Sequence, residues 1–193
     1  MSYDMFYHAS DIKDLTEVLP LSKAKGSDEN VCYFTHIKNY ALVYLRDKEI
    51  NHTSCDVTEN EMLVFQEWFP GLLEKVYKGR SGYIYSCKNN GNITIAQNWR
   101  IWSSTQPVPV AEAEYIEDVY EEILKLVNSG EAQIVRYESY SDEEKRDIIV
   151  GVRDYALEKG WLNIDTPQTR FFAEHYPQAW EEAKIYVETM QPK

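Results

Sequence analysis

Cysteine is scarce in this chain, and its spacing does not fit disulfides or zinc. The 193-residue sequence contains three cysteines, Cys32, Cys55 and Cys87, an odd number with no Cys-x-x-Cys pair. A disulfide framework needs paired cysteines, and a zinc ribbon needs closely spaced ones. The sequence therefore argues against both and fits a reducing compartment.

Long apolar runs are also missing. No stretch approaches the ~20 apolar residues that a membrane helix requires. The N-terminus has no apolar run behind a basic start, so we expect no secretory signal peptide. We predict a cytoplasmic protein without a membrane partner.

Basic charge is in short supply, especially in the second half. The formal net charge is −12, and residues 97–193 carry 19 acidic residues against 10 Lys and Arg, a net of −9. Proteins that bind nucleic acids usually present a basic face, because neutralising phosphates dominates their affinity. We therefore do not expect a nucleic-acid partner.

The common catalytic signatures are absent. The sequence has no G-x-G-x-x-G, no P-loop, no G-x-S-x-G and no H-E-x-x-H. None of its four histidines pairs with a cysteine or carboxylate at ligand spacing, so we predict no metal site.

What the chain does contain is enough apolar and aromatic material for a packed core. Hydrophobic residues make up 44% and aromatic residues 13% of the sequence, and a chain of this length and composition folds. Strand-like and helix-like segments alternate without regular βαβ spacing, which predicts an α+β fold with small mixed or antiparallel sheets. We expect a core domain over 1–138 and a C-terminal helical extension over 139–193, packed on the core.

The local patterns predict individual elements. Aromatic and β-branched runs predict strands, and apolar residues at spacings of three and four predict helices. An Asn-Gly turn signal predicts that the third and fourth strands form a hairpin. The predicted strands are 3–9, 31–35, 83–87, 93–97 and 132–137, and 107–110 is an extended edge. The predicted helices are 37–46, 61–78 with a break at Pro70, 116–128, 142–159 with a capping box at Ser141, and 165–190 with an interruption at Pro177.

Two of the strands carry side chains of chemical interest. His8 ends the first strand, and strand ends lie at the rim of a sheet, where clefts form; a half-buried histidine bonded to a loop carbonyl is the plainer reading. Tyr33 and Phe34 alternate on the second strand, so one ring should face the core and the other should not. Glu114 and its neighbours precede or open an acidic helix, a place where carboxylates are ordinary.

Taken in order, these segments resemble the His–Tyr–Glu pattern of the ADP-ribosyltransferase superfamily. The matching segments are Tyr7-His8-Ala9-Ser10, then Cys32-Tyr33-Phe34-Thr35 leading into Tyr40-Ala41-Leu42, and finally Glu112-Ala113-Glu114-Tyr115-Ile116. The resemblance covers about the first 116 residues and implies a split β-sheet fold. It also implies that NAD is the substrate.

The family assigns roles to the matching residues. By resemblance, His8 would hydrogen-bond a ribose hydroxyl of NAD, and Tyr33 would stack on the nicotinamide. Glu114 would bond the nicotinamide ribose and stabilise the positive sugar as nicotinamide departs, with Glu112 and Glu117 as competing choices. The implied catalytic residues are His8, Tyr33 and Glu114, and the implied NAD-contacting residues are His8, Ser10, Tyr33, Phe34 and Tyr40. The acceptor would be a protein or a small molecule.

Two other functions remain open. The chain could be a non-enzymatic interaction protein that uses its acidic, aromatic-rich surface. It could also be a hydrolase in which Glu112 and Glu114 act as a general acid and base, since residues two apart in an extended segment share a face.

Overall fold

The computed structural model describes residues 3–50 and 54–190, and it confirms the α+β class. The strands are β1 (Met5–Ser10), β2 (Glu17–Val18), β3 (Ser22–Lys23), β4 (Asn30–Phe34), β5 (Cys55–Val57), β6 (Leu63–Gln66), β7 (Gly82–Lys88), β8 (Thr94–Asn98), β9 (Ile101–Ser104), β10 (Val108–Pro109), β11 (Glu112–Ile116) and β12 (Ala132–Val135). The α-helices are α1 (Leu72–Tyr77), α2 (Val119–Ser129), α3 (Asp142–Glu158), α4 (Pro167–His175) and α5 (Pro177–Met190). Short 3₁₀ helices cover Lys38–Leu45, Tyr137–Ser139 and Trp161–Asn163.

The chain divides into two compact units. The first comprises residues 1–46, 55–64 and 77–133, and the second comprises 47–54, 65–76 and 134–193.

The first unit contains antiparallel sheets together with α2 and the 3₁₀ helix Lys38–Leu45. One has the order β1-β7-β11, another the order β3-β4-β9-β8, and β10 pairs with β2. An isolated backbone bridge between Tyr7 and Thr35 connects β1 to the end of β4. A buried apolar cluster fills the space that these strands enclose; it contains Phe6, Val18, Cys32, Phe34, Cys87, Ile93, Trp102 and Val108.

Helices and aromatic rings build the second unit. The ring of Phe69 stacks on His175, with centroids 4.5 Å apart, and meets Tyr176 edge-on. Capping boxes begin α3 at Ser141 and α4 at Thr166, and each satisfies backbone N–H groups that the first helical turn leaves without partners. The predicted capping box at Ser141 and the predicted interruption at Pro177 are both confirmed.

The predicted helix over 61–78 is wrong for its first half. Residues 63–66 form β6, with Leu63 and Phe65 fully buried and their neighbours partly exposed. This is the two-residue alternation of a strand, which a short apolar run does not distinguish from a helix. A turn at Pro70-Gly71 follows, with Gly71 at a φ of +74°, and α1 begins only at Leu72.

The predicted hairpin between 83–87 and 93–97 is also wrong. β7 lies between β1 and β11, whereas β8 pairs with β9 in another sheet. The amides around the Asn-Gly signal make local turns, with Gly91 N–H donating to Asn89 Oδ1 and Asn92 N–H to Asn90 Oδ1. The backbone N–H of Asn89 donates to Asp4, which directs this turn towards β1.

Two helix predictions need smaller corrections. The segment expected as a helix over 37–46 is a 3₁₀ helix, Lys38–Leu45. The helix expected from 116 begins at Val119, because Asp118 caps it by accepting from Tyr120 N–H and Glu121 N–H. Ile116 and the residues before it are strand, so Glu112 and Glu114 lie on β11 and not at a helix start.

A pair of glycine substitutions tests the packing. A Cβ on Gly82 would lie 2.7 Å from Leu45 Cδ2 and 2.9 Å from the Ser10 carbonyl oxygen. Gly82→Ala should therefore lower the free energy of unfolding by about 1–3 kcal/mol. Gly151→Ala, in the middle of α3 with nothing within 4 Å of the added Cβ, should raise it by about 0.5–1 kcal/mol. Urea titration followed by circular dichroism measures both, and equal effects would contradict the packing described.

Candidate functional site

His8 is held by the backbone of the second predicted strand. Its Nδ1 lies 2.9 Å from the carbonyl oxygen of Tyr33, and its half-buried ring tilts against Phe34 with centroids 5.9 Å apart. The structure therefore brings the His8 ring to the backbone of Tyr33 and to the ring of Phe34. The contact is a histidine bonded to a carbonyl, which the plainer reading of His8 also expects.

This hydrogen bond fixes the tautomer of His8. A carbonyl oxygen only accepts, so Nδ1 must carry the proton. Burial lowers the pKa of His8 below its ordinary value, with the Tyr33 bond opposing the shift, so the ring is neutral near pH 7. Nε2 is then a hydrogen-bond acceptor; it has no hydrogen-bond partner among the described residues and is not sealed from solvent.

Ser10 lies two residues further along β1 and shares the face of His8. Its Oγ accepts from Ile12 N–H at 3.2 Å, which leaves the hydroxyl proton to donate. Tyr85 on β7 stands opposite His8, and its hydroxyl donates to the Ile12 carbonyl at 2.6 Å. The backbone N–H of Leu15 donates to the same hydroxyl at 3.4 Å. Tyr85 thus holds the segment 12–15 beside the face that carries His8 and Ser10.

The rings of Tyr33 and Phe34 diverge, as predicted. Phe34 is 3% exposed and belongs to the apolar cluster. Tyr33 is half-buried on the other face of β4, and its hydroxyl donates to the Lys23 carbonyl at 3.3 Å. Tyr33 therefore contributes its carbonyl to His8, whereas its ring lies on the opposite face.

Glu114 lies on the face of the sheet opposite to His8. Residues paired across antiparallel strands share a face, and the register aligns Glu114 with Ile84 and Ala9. His8 aligns with Tyr85 and Ala113, so it lies one residue away in register from the row that contains Glu114. Because successive side chains on a strand point to opposite faces, the Glu114 carboxylate and the His8 ring point away from each other.

Lys38 accompanies Glu114 on that face. Its Nζ lies 2.6 Å from Glu114 Oε2, and both side chains are about half exposed. The hydrogen bond to Glu114 is the main reason that the pKa of Lys38 is raised, so the lysine stays charged and offsets the carboxylate. Glu112 shares this face of β11, and Glu117 follows the strand.

Tyr40 belongs to a different cluster of the first unit. Its ring meets Tyr44 edge-on at 5.9 Å, and the Arg100 guanidinium lies 5.6 Å from its centroid. Burial raises the pKa of Tyr40. These contacts occupy the ring in packing with Tyr44 and Arg100.

Sequence reasoning missed Tyr85 and Lys38. Tyr85 carries a weak signal, since a tyrosine on the central strand of a sheet has its ring buried and its hydroxyl free to reach a loop. Lys38 has no signal in the sequence, because its pairing with Glu114 depends on which strands are neighbours in the fold.

Comparison of the chain with protein-family models, with curated proteins and with solved structures finds no match. Within residues 3–50 and 54–190, no group of three or more His, Cys, Asp or Glu residues could hold a metal ion; His52 lies outside those ranges. None of the helices in the described part of the chain is long and apolar enough to span a membrane.

The lowered pKa of His8 predicts a pH-dependent stability. Below pH 6.5 the unfolded chain binds a proton at His8 that the folded ring resists, so the free energy of unfolding should fall as the pH drops through this window. The slope from one such histidine is at most about 1.4 kcal/mol per pH unit. His8→Phe should flatten the dependence between pH 7.5 and 5.5 in urea titrations, because the phenyl ring does not titrate. An unchanged slope would show that His8 is not protected from protonation in the fold.

Proposed function

We propose that this chain binds NAD on the face of β1 that carries His8, as a relative of the ADP-ribosyltransferases that holds the dinucleotide. The observation that carries the proposal is the fixed neutral tautomer of His8. Its Nδ1–H donates to the Tyr33 carbonyl at 2.9 Å and leaves Nε2 as an acceptor without a protein partner in the described ranges.

A sugar hydroxyl is the ligand group that suits this acceptor. Nε2 needs a hydrogen-bond donor, so an anion, which only accepts, does not suit it. The ribose hydroxyls of NAD are such donors, and the role matches the one that the resemblance gives to His8. The hydroxyl of Ser10 lies on the same face and can donate a second bond to the ribose or to an amide.

Bond cleavage needs a further group. When nicotinamide leaves, the bond between its nitrogen and the ribose C1′ breaks, the electron pair goes to the nitrogen, and an acceptor nucleophile bonds to C1′. A carboxylate beside the sugar stabilises the positive charge that develops. Glu114 is aimed away from His8 and is paired with Lys38, so we do not assign it this role.

Binding should depend on His8. In calorimetric titrations with NAD, His8→Ala should weaken the affinity about tenfold, because one hydrogen bond to a sugar hydroxyl is lost. Tyr33→Phe is the matched control: it removes the hydroxyl that reaches Lys23 and keeps the carbonyl that holds His8, so its affinity should equal that of the wild type. No heat from the wild type at millimolar NAD would end the proposal.

The carboxylates give a separate test. Glu114→Gln should leave both the NAD affinity and the rate of nicotinamide release unchanged, because this side chain does not face His8. The release of nicotinamide from NAD can be followed by chromatography. Glu117→Gln should be measured in the same way. If the wild type released nicotinamide and Glu114→Gln abolished that release, Glu114 would be the carboxylate that stabilises the sugar cation. That result would contradict this assignment.

A further inference from the structure

We propose that the outer edge of β11 is a docking site for an extended, lysine- and arginine-rich segment of a partner protein. The site is separate from the face that carries His8. The proposal rests on a strand edge that has no pairing partner. The negative charge around this edge favours a positively charged segment.

The strand has a free side. β11 is the last strand in the order β1-β7-β11, and no described residue pairs with its outer edge. Residues 112–115 are exposed, and only Ile116 is buried. A strand at a sheet edge presents a row of unpaired N–H and C=O groups, which an added strand can satisfy.

β11 lacks two features that commonly block such pairing. Its five residues contain no proline, and their register with β7 runs from Glu112 to Ile116 without a bulge. Proline and bulges are two of the usual means by which proteins protect an edge.

Charge decides which strand can be added. The last residues of β11 and the residues that follow them line a groove of about 800 Å³, whose acidic side chains are Glu114, Glu117, Asp118, Glu121 and Glu122. Lys125 also lines this groove and pairs with Glu122 at 2.8 Å, so the acidic side chains outnumber the lysine. Neither Glu112 nor Glu117 has an ion pair among the described residues. A segment with lysine or arginine at alternate positions would place its cations against these carboxylates.

A second copy of this chain is a poor occupant. Pairing two β11 strands antiparallel sets Glu114 against Glu114 or Glu112 against Glu114, and parallel pairing in register stacks each glutamate on itself. Like charges directly opposite each other destabilise a sheet, and the net charge of −12 opposes self-association further.

Backbone pairing can be separated from simple charge attraction with matched peptides. The probe is a fluorescent nine-residue peptide of alternating Lys and Thr. Its control has the same sequence with alternate backbone nitrogens methylated, so that it keeps the charge and loses the donors along one edge. The full chain should bind the probe, and methylation should weaken binding at least about tenfold, because several backbone bonds are lost. Equal affinity for both peptides would mean non-specific electrostatics and overturn the proposal, as would no binding of either.

Protein variants locate the site. Glu112→Gln with Glu117→Gln keeps the Lys38–Glu114 ion pair and should weaken probe binding about three- to tenfold. The control is the double variant Glu138→Gln, Glu188→Gln, which makes the same change in net charge at exposed positions of the second unit. It should not change the affinity for the probe. Equal weakening by both pairs would contradict a site at β11.

Hydrogen exchange measures directly whether the backbone amides of β11 become protected. The probe should slow the exchange of amides in 112–116, and His8→Ala should leave that protection intact, so the result does not depend on NAD binding. Protection elsewhere would overturn the proposal. A dimer that protects the same amides without peptide, detected by sedimentation, would assign the edge to a second copy and overturn it as well.

Discussion

The candidate site depends on one pair of backbone hydrogen bonds. Tyr7 N–H donates to the Thr35 carbonyl at 2.7 Å, and Thr35 N–H donates to the Tyr7 carbonyl at 3.0 Å. This bridge joins the edge of the β1-β7-β11 sheet to the end of β4. Because the bridge sets the register there, His8 comes to lie beside Phe34 and within reach of the Tyr33 carbonyl. Without the bridge, the histidine would have no partner to fix its tautomer.

The two-residue alternation of strands then distributes the other side chains. His8 and Ser10 take one face of β1, where Tyr85 anchors the segment 12–15. Glu112 and Glu114 take the other face of β11, where Lys38 neutralises part of their charge. The same rule turns Phe34 into the core and leaves Tyr33 outside it. One geometric constraint therefore places His8 and Ser10 on one face of the sheet and the paired charges of Glu114 and Lys38 on the other.

Much of the fold could be predicted where local chemistry decides the structure. The capping box at Ser141 and the left-handed Gly130 at the end of α2 follow from side-chain and backbone preferences within a few residues. The strands at the beginning of the chain follow from their richness in aromatic and apolar residues. The errors occur where a short apolar run or a turn signal depends on distant partners: Leu63 and Phe65 form a strand, and the Asn-Gly turn joins two different sheets.

The sequence by itself determined the α+β class, the acidic character of the second half and the order in which His8, Tyr33 and Glu114 occur. These properties are local or additive, so composition and short-range pattern suffice for them. Only the tertiary structure decided which side chains meet. The neighbours of a strand and the face that each residue takes depend on pairing between segments far apart in the chain, and a shift of one residue reverses the face. That is why His8 reaches the carbonyl of Tyr33, while Glu114 faces Lys38 on the other side of the sheet.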